Sequence, residues 1–272
     1  MTRLARTADG TAVLGNDEGF VPLASADPSL GSVDAALRAA PDGLPDVADA
    51  TAKPVPAAHL DFTSPIADPG TLWGVGLNYA DHAADLDETR PDEPASFCKP
   101  ATTLTGPGGP IRLPPTEISN RVTAEAELGV VIGRTCKDVD EADVSDVVVG
   151  YVPIVDMTAE DVLQRNPRFL TRAKSFDSFL VVGPWIRTPD EVGDLTDVTV
   201  RTVRNDETVA ENTVSRMLFP PEELVSFHSR VMTLRPGDVI STGTPGAGVI
   251  SPGDEVRAEI EGVGSLDASV VR

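Results

Sequence analysis

The sequence predicts a β-rich α+β protein, with a small α+β lead-in over residues 1–60 and a larger, mostly β body over residues 61–272. Three observations lead there. Short runs of β-branched and apolar residues recur along the chain, and 24 Pro with 23 Gly punctuate them, as many turns and short strands require. One longer run, residues 124–133, carries Val130, Val131 and Ile132 and closes on Gly133, which reads as a central strand. Helical patterns are few and short.

Taken in order, residues 3–23 read as short strands separated by Asp9-Gly10 and by the Gly15-Asn16-Asp17-Glu18-Gly19 turn. Ser32 caps a helix over 33–40 that Pro41 stops. Residues 41–58 are a Pro-, Asp- and Ala-rich connection without a core pattern. Leu72-Trp73-Gly74-Val75-Gly76 is an apolar strand, and residues 78–86 have helical character. Residues 91–115 are rich in Pro and Gly, with Phe97-Cys98-Lys99-Pro100 as a strand end. Residues 144–155 read as strand, followed by a helix over 158–164 capped by Thr158. Strands are expected over 176–186, 198–204 and 208–214. Residues 221–232 form a helix with Pro221 at its start and Glu222 and Glu223 in its first turn, where the helix dipole favours them. Beyond Pro236, short strands alternate with two Pro-Gly-Asp turns.

A net charge of −21 and a pI near 4.3 argue against nucleic acid or an anionic membrane as partner. Only four lysines stand against eighteen arginines. That balance suggests life in concentrated salt, where screening removes self-repulsion. Cys98 and Cys136 are isolated thiols suited to a reducing cytoplasm, no apolar leader follows the N-terminus, and no apolar run is long enough to span a bilayer.

Alternation along the central strand puts Glu125 and Glu127 on one face and Ala126, Leu128 and Val130 on the other. Their Cα atoms then lie roughly 6–7 Å apart, close enough for two carboxylates to converge on one cation. The spacing alone says little, because 43 Asp and Glu in 272 residues give about seven acid-x-acid triplets by chance. Asp156, at the end of an apolar run, suits a helix cap or a turn. Lys174 suits a salt bridge, and a lone His82 near a helix start suits a structural role.

In order along the chain, however, the motifs resemble those of the fumarylacetoacetate hydrolase family. They are Gly76-Leu77-Asn78-Tyr79-x-x-His82, Glu125-x-Glu127, Asp156, Lys174-Ser175-Phe176-Asp177-x-Phe179 with Gly183-Pro184-Trp185, and Pro236-Gly237-Asp238-Val239-Ile240-x-x-Gly243-Thr244-Pro245. The resemblance runs from about residue 71 to the C-terminus. It implies a mixed β-sandwich roll preceded by a small α+β domain, and a homodimer. It also implies that Glu125, Glu127 and Asp156 hold Mg²⁺ or Mn²⁺, which agrees with the preference of hard cations for oxygen ligands.

By the same resemblance, Lys174 adds positive charge at the reacting centre and Thr244 holds the substrate's carboxylate. Tyr79 and Gln164 fall among the substrate-binding positions, and His82 is a general base toward water, oriented by Asp85. The chain departs from the family in having Asp85 where a glutamate is common and Glu160 where an arginine is common. Gln164 stands one residue beyond the expected glutamine, and Gly246-Ala247-Gly248 follows Pro245.

The implied activity begins with a small 2-oxo acid chelated to the cation and converted to an enolate. The His82–Asp85 pair leans the expectation toward C–C hydrolysis of an acylpyruvate- or fumarylpyruvate-like substrate. The alternatives within the family are oxaloacetate decarboxylation or tautomerisation, isomerisation of 2-hydroxyhepta-2,4-diene-1,7-dioate, and dehydration of 2-keto-3-deoxy sugar acids. The rival of a different class is a non-catalytic, metal-binding β-roll, against which His82 and Lys174 speak, since neither is needed to hold a cation.

Overall fold

A computed structural model of the chain describes residues 2–40, 43–80 and 91–272. The strands in chain order are β1 (Arg3–Thr7), β2 (Ala12–Asn16), β3 (Gly19–Pro22), β4 (Phe62–Thr63), β5 (Leu72–Gly76), β6 (Ala95–Lys99), β7 (Leu104–Thr105), β8 (Ile111–Arg112) and β9 (Val122–Ile132). They continue with β10 (Val148–Ala159), β11 (Leu180–Val182), β12 (Trp185–Arg187), β13 (Thr199–Arg204), β14 (Glu207–Thr213), β15 (Val239–Ser241), β16 (Ala247–Ile250), β17 (Glu255–Ile260) and β18 (Gly264–Val271). Among the described residues these make two mixed sheets. The larger runs β3-β2-β1-β12-β10-β9-β15-β5-β6, with β4 on β1, β11 on β10, β7 on β11 and β16 on β9. The smaller runs β14-β13-β17-β18-β8.

The expected β-rich α+β class is what the chain adopts, and its axis is the antiparallel pair β9/β10. Every residue of β9 is buried, because it is covered on both faces. One face, with Ala126, Leu128, Val155 and Met157, packs on Val200, Val256, Ala258 and Leu266 of the smaller sheet. The other, with Val131, Val152 and Ile154, packs with Leu4, Leu14, Val33 and Leu37 from the first forty residues. Residues near the N-terminus also join the larger sheet directly, since β1 pairs with β12 through Leu4↔Ile186.

Local expectations held where the signal was local. The helix Val33–Ala39 is capped by Ser32, whose Oγ accepts from Ala35 N at 3.1 Å. The helix Pro221–Val231 starts at its proline and keeps both glutamates in its first turn. On that helix His228 is structural: fully buried, bonded to Leu224 O and Ser96 Oγ, and packed on Trp73.

The strand expected over 144–155 begins only at Val148, after a 3₁₀ helix over Glu141–Asp146. The expected strand over 176–186 is two strands, β11 and β12, broken at Gly183-Pro184. Residue 158 does not open a helix, because β10 continues to Ala159, held in register with β9 through Ala159↔Val122, and the helix begins at Glu160. No described helix is long and apolar enough to cross a membrane.

Candidate metal and substrate site

Strand geometry builds the acidic cluster. Glu125 and Glu127 lie two apart on β9 and so share a face. Asp156 stands directly opposite Glu125 on β10, in the Asp156↔Glu125 pair of the ladder. Residues so paired have Cβ atoms roughly 5 Å apart, which brings the three carboxyl groups together. One carboxylate oxygen from each residue lies within 4.8 Å of the others. The three residues are 7%, 2% and 0% exposed in chain order, so their charges are largely removed from water.

Each carboxylate is fixed by donors. Lys174 Nζ lies 2.7 Å from Glu125 Oε2 and 2.9 Å from Asp156 Oδ2. Lys99 Nζ donates to Asp156 Oδ1. Thr158 Oγ1 and Thr123 Oγ1 donate to Glu125 Oε1 at 2.6 and 3.1 Å. Ser241 Oγ and the Gly243 amide donate to Glu127 Oε2 at 2.5 and 2.8 Å. Phe97 lies beneath Lys174, whose Nζ is 5.2 Å from the ring centre.

The charges do not balance. Among the described residues three carboxyl groups face two lysines, an excess of one acid that would be one net negative charge with every group ionised. Glu127, the carboxylate with no lysine bonded to it, bears the consequence. Burial first, and then the Asp156 and Glu125 charges, push its carboxyl up to about 8. Burial also works against Asp156, but Lys174 and Lys99 together hold it below the usual carboxylate range. Burial opposes the charge on Lys174 too, yet the three carboxylates raise its ammonium above the ordinary value. Burial lowers Lys99, against the pull of Asp156. A hard dication suits this arrangement. The donors are oxygens, the excess charge is negative, and the side chains are already held by other hydrogen bonds.

The loop over residues 242–246 forms one wall. Asn78, fully buried, pins it by donating to Thr242 O at 2.7 Å and Phe219 O at 2.9 Å while accepting from Phe219 N at 2.9 Å. Gly243 has φ +96°, and a Cβ there would stand 2.8 Å from Asn78 Cβ, so glycine alone fits. Thr244 is buried, with Oγ1 donating to Gly246 O at 2.8 Å. Tyr79 is fully buried and its hydroxyl has no partner among the described residues. Burial, with a contribution from the Glu127 charge, raises that hydroxyl above the ordinary phenol value.

The structure therefore brings Glu125, Glu127, Asp156 and Lys174 into one cluster, with the Glu127 charge acting on Tyr79. Gln164 lies apart, exposed on the helix Glu160–Arg165 with Nε2 donating to Glu160 Oε1 at 2.9 Å. His82 and Asp85 lie outside the described residues.

Sequence reasoning missed Lys99, Thr158, Thr123 and Ser241. For Lys99 a signal existed: it is one of four lysines and alternates with Phe97 on the buried face of β6. The sequence places Thr158 as the cap of a helix over 158–164. As part of β10 it shares a face with Asp156 and bonds Glu125 instead.

Residues 71–271 match the fumarylacetoacetate (FAA) hydrolase C-terminal family. The chain belongs to the fumarylacetoacetate hydrolase family. It is 41% identical over 216 residues to a 4-hydroxyphenylacetate degradation bifunctional isomerase/decarboxylase of Salmonella dublin, covering 79% of this chain and 50% of that longer enzyme. It is 36% identical over 223 residues to a mitochondrial oxaloacetate tautomerase of Xenopus laevis, covering 79% of this chain and 69% of the other. Among solved structures it resembles the maleylpyruvate hydrolase of Sphingobium sp. SYK-6 in complex with manganese(II) and pyruvate. That match has a TM-score of 0.80 and 28% identity, covering 99% of this chain and 98% of the other. Members of the fumarylacetoacetate hydrolase family are thus enzymes of several reaction types, among them isomerase, decarboxylase, tautomerase and hydrolase.

Proposed function

We propose that this chain is a Mg²⁺- or Mn²⁺-dependent enzyme that enolises a small 2-oxo acid, with keto–enol tautomerisation or isomerisation as its net reaction. The observation that carries the reading is the convergence of Glu125, Glu127 and Asp156 with two buried ammoniums, Lys174 and Lys99. Neither lysine is needed to hold a cation, and both are costly to bury. Their placement suits a reaction in which negative charge develops on a bound oxygen.

The charge count sets the class of substrate. With Glu127 ionised, as it would be on binding a cation, the five described groups carry one net negative charge, a dication reverses it to one positive, and a substrate carboxylate brings it to neutrality. Bound there, the cation would supply Lewis acidity toward the keto group. Glu125, Glu127 and Asp156 would hold it, oriented by Thr158, Thr123, Ser241 and the Gly243 amide. Lys174 and Lys99 would stabilise the enolate charge, while Thr244 and Tyr79 orient the substrate from the loop wall and the core. Net tautomerisation or isomerisation is favoured by the relatives at 41% and 36% identity, an isomerase/decarboxylase and a tautomerase.

Hydrolytic C–C cleavage of an acylpyruvate is the second reading. The manganese- and pyruvate-bound maleylpyruvate hydrolase and the His82–Asp85 spacing favour it. One experiment separates the two. Purified enzyme with Mn²⁺ or Mg²⁺ is offered oxaloacetate and acylpyruvates in D₂O and followed by NMR. Deuterium entry at C3 without C–C cleavage supports the first reading. Cleavage that His82→Ala abolishes while exchange persists supports the second. No exchange and no cleavage with any 2-oxo acid would sink both.

A further inference from the structure

The strand carrying Glu125 and Glu127 has a gap along one side. β16 pairs with β9 over Val122 to Glu125, and β15 pairs with it over Gly129 to Val131. Between them residues 242–246 leave the ladder. Leu128 still finds a partner there, accepting from Thr242 N at 3.0 Å and Thr242 Oγ1 at 2.8 Å. Ala126 points its amide to the same side, and among the described residues no strand reaches it. Thr202, from β13 of the smaller sheet, meets it instead, its Oγ1 accepting from Ala126 N at 2.9 Å. The same hydroxyl donates to Gly246 O at 3.4 Å, the carbonyl that Thr244 Oγ1 also reaches.

Three features mark this as a built contact. Thr202 is 1% exposed at an inward position of β13, alongside Val200 in the core between the sheets, while Arg201 faces out to Glu211 and Glu259. A hydroxyl in such a layer costs stability unless it is bonded. The register of β13 against β14 shifts between Thr202 and Val203, and such irregularities re-aim side chains beside sites. Finally, a Cβ on Gly246 would stand 2.8 Å from Ala210 Cβ, so the loop is seated closely on the β13–β14 hairpin.

We infer that Thr202 is a positioning residue. Its hydroxyl takes the place of a strand partner for Ala126 and ties the Glu125–Ala126–Glu127 backbone to the loop that carries Thr244. Without it, a buried amide is unpaired between the two glutamates, and the peptide units that aim their carboxylates lose their anchor. The inference rests on the metal site proposed above.

Mn²⁺ titration of full-length wild type, Thr202→Val and Thr202→Ser tests it, with hydrogen exchange at the Ala126 amide as a second readout. Thr202→Val, which keeps shape and loses the hydroxyl, is expected to weaken Mn²⁺ binding about tenfold and to lose protection at Ala126. Thr202→Ser is expected to restore both. Should Thr202→Val fail to fold, Thr202→Ala replaces it in the comparison with serine, the two differing only in the hydroxyl. Wild-type Mn²⁺ affinity in the hydroxyl-free variant overturns the inference and leaves the metal site standing. A wild-type protein that binds no Mn²⁺ overturns both.

Discussion

Replacing Lys99 by methionine removes the ammonium bonded to Asp156 Oδ1 while keeping most of the side chain's volume in the core. Asp156 is then a fully buried carboxylate with Lys174 as its one remaining ammonium, and the site has lost one positive charge. Breaking a buried ion pair costs about 3–5 kcal/mol. The retained bond from Lys174 places the expected loss at the low end, about 3 kcal/mol, or a fall in melting temperature of roughly 6–12 °C. That loss applies to protein stripped of metal. In excess Mn²⁺ the dication offsets the added negative charge, so the gap to wild type should narrow. Turnover should not recover with it, because the ammonium proposed to stabilise the enolate is gone; a fall on the order of 10²-fold is expected. Thermal unfolding in EDTA and in saturating Mn²⁺, with rates on a 2-oxo acid, reads all three. An equal melting shift with and without Mn²⁺, together with wild-type turnover, would make Lys99 a plain structural ion pair and refute the reasoning.

Three other outcomes are expected. A Glu127 carboxyl held at about 8 stabilises the metal-free fold at low pH and loses that effect as pH rises between its ordinary value near 4.5 and 8. Wild type in EDTA should therefore lose stability relative to Glu127→Gln across that window, and a constant difference would refute it. With net charge −21, the melting temperature should drop below about 0.3 M KCl, where the screening length exceeds roughly 5 Å. The partly exposed ladder Glu211–Arg201–Glu259–Arg257–Asp267 should contribute little to that response, and a curve unmoved between low and molar salt would contradict the expectation. Tyr79→Phe removes a buried hydroxyl without a partner among the described residues, so it should leave stability unchanged or raised while lowering kcat/KM; lost stability with unchanged kcat/KM would mean that the hydroxyl serves the fold.

The site was legible in the sequence as far as its chemistry depended on local periodicity. Glu125 and Glu127 share a face because strands alternate, and the β-branched run that follows them announces the strand. Asp156 was legible as a residue but not in its setting. Its neighbours Thr158, Glu160 and Asp161 look like a helix start, and only pairing with β9 keeps the chain extended through Ala159. Lys99 lies 57 residues from Asp156, on β6, and in the larger sheet β9, β15 and β5 stand between β6 and the β10 of Asp156. No local pattern encodes that order. The first forty residues show the same limit. Their strands and the Ser32 cap were readable, whereas the pairing of β1 with β12 and the packing of Val33 and Leu37 on the far face of β9/β10 were not.

The measurement that bears most directly on the account is Mn²⁺ binding to the metal-free protein, followed by calorimetry and by the spin-resonance signal of the free ion. The account predicts one ion per chain, with a proton released on binding below about pH 8 as Glu127 gives up its hydrogen. Glu127→Ala and Asp156→Ala should lose binding and turnover while keeping the wild-type circular dichroism spectrum. Binding of undiminished affinity in either folded variant, or none in wild type, would contradict the central claim that these three carboxylates form the reactive centre.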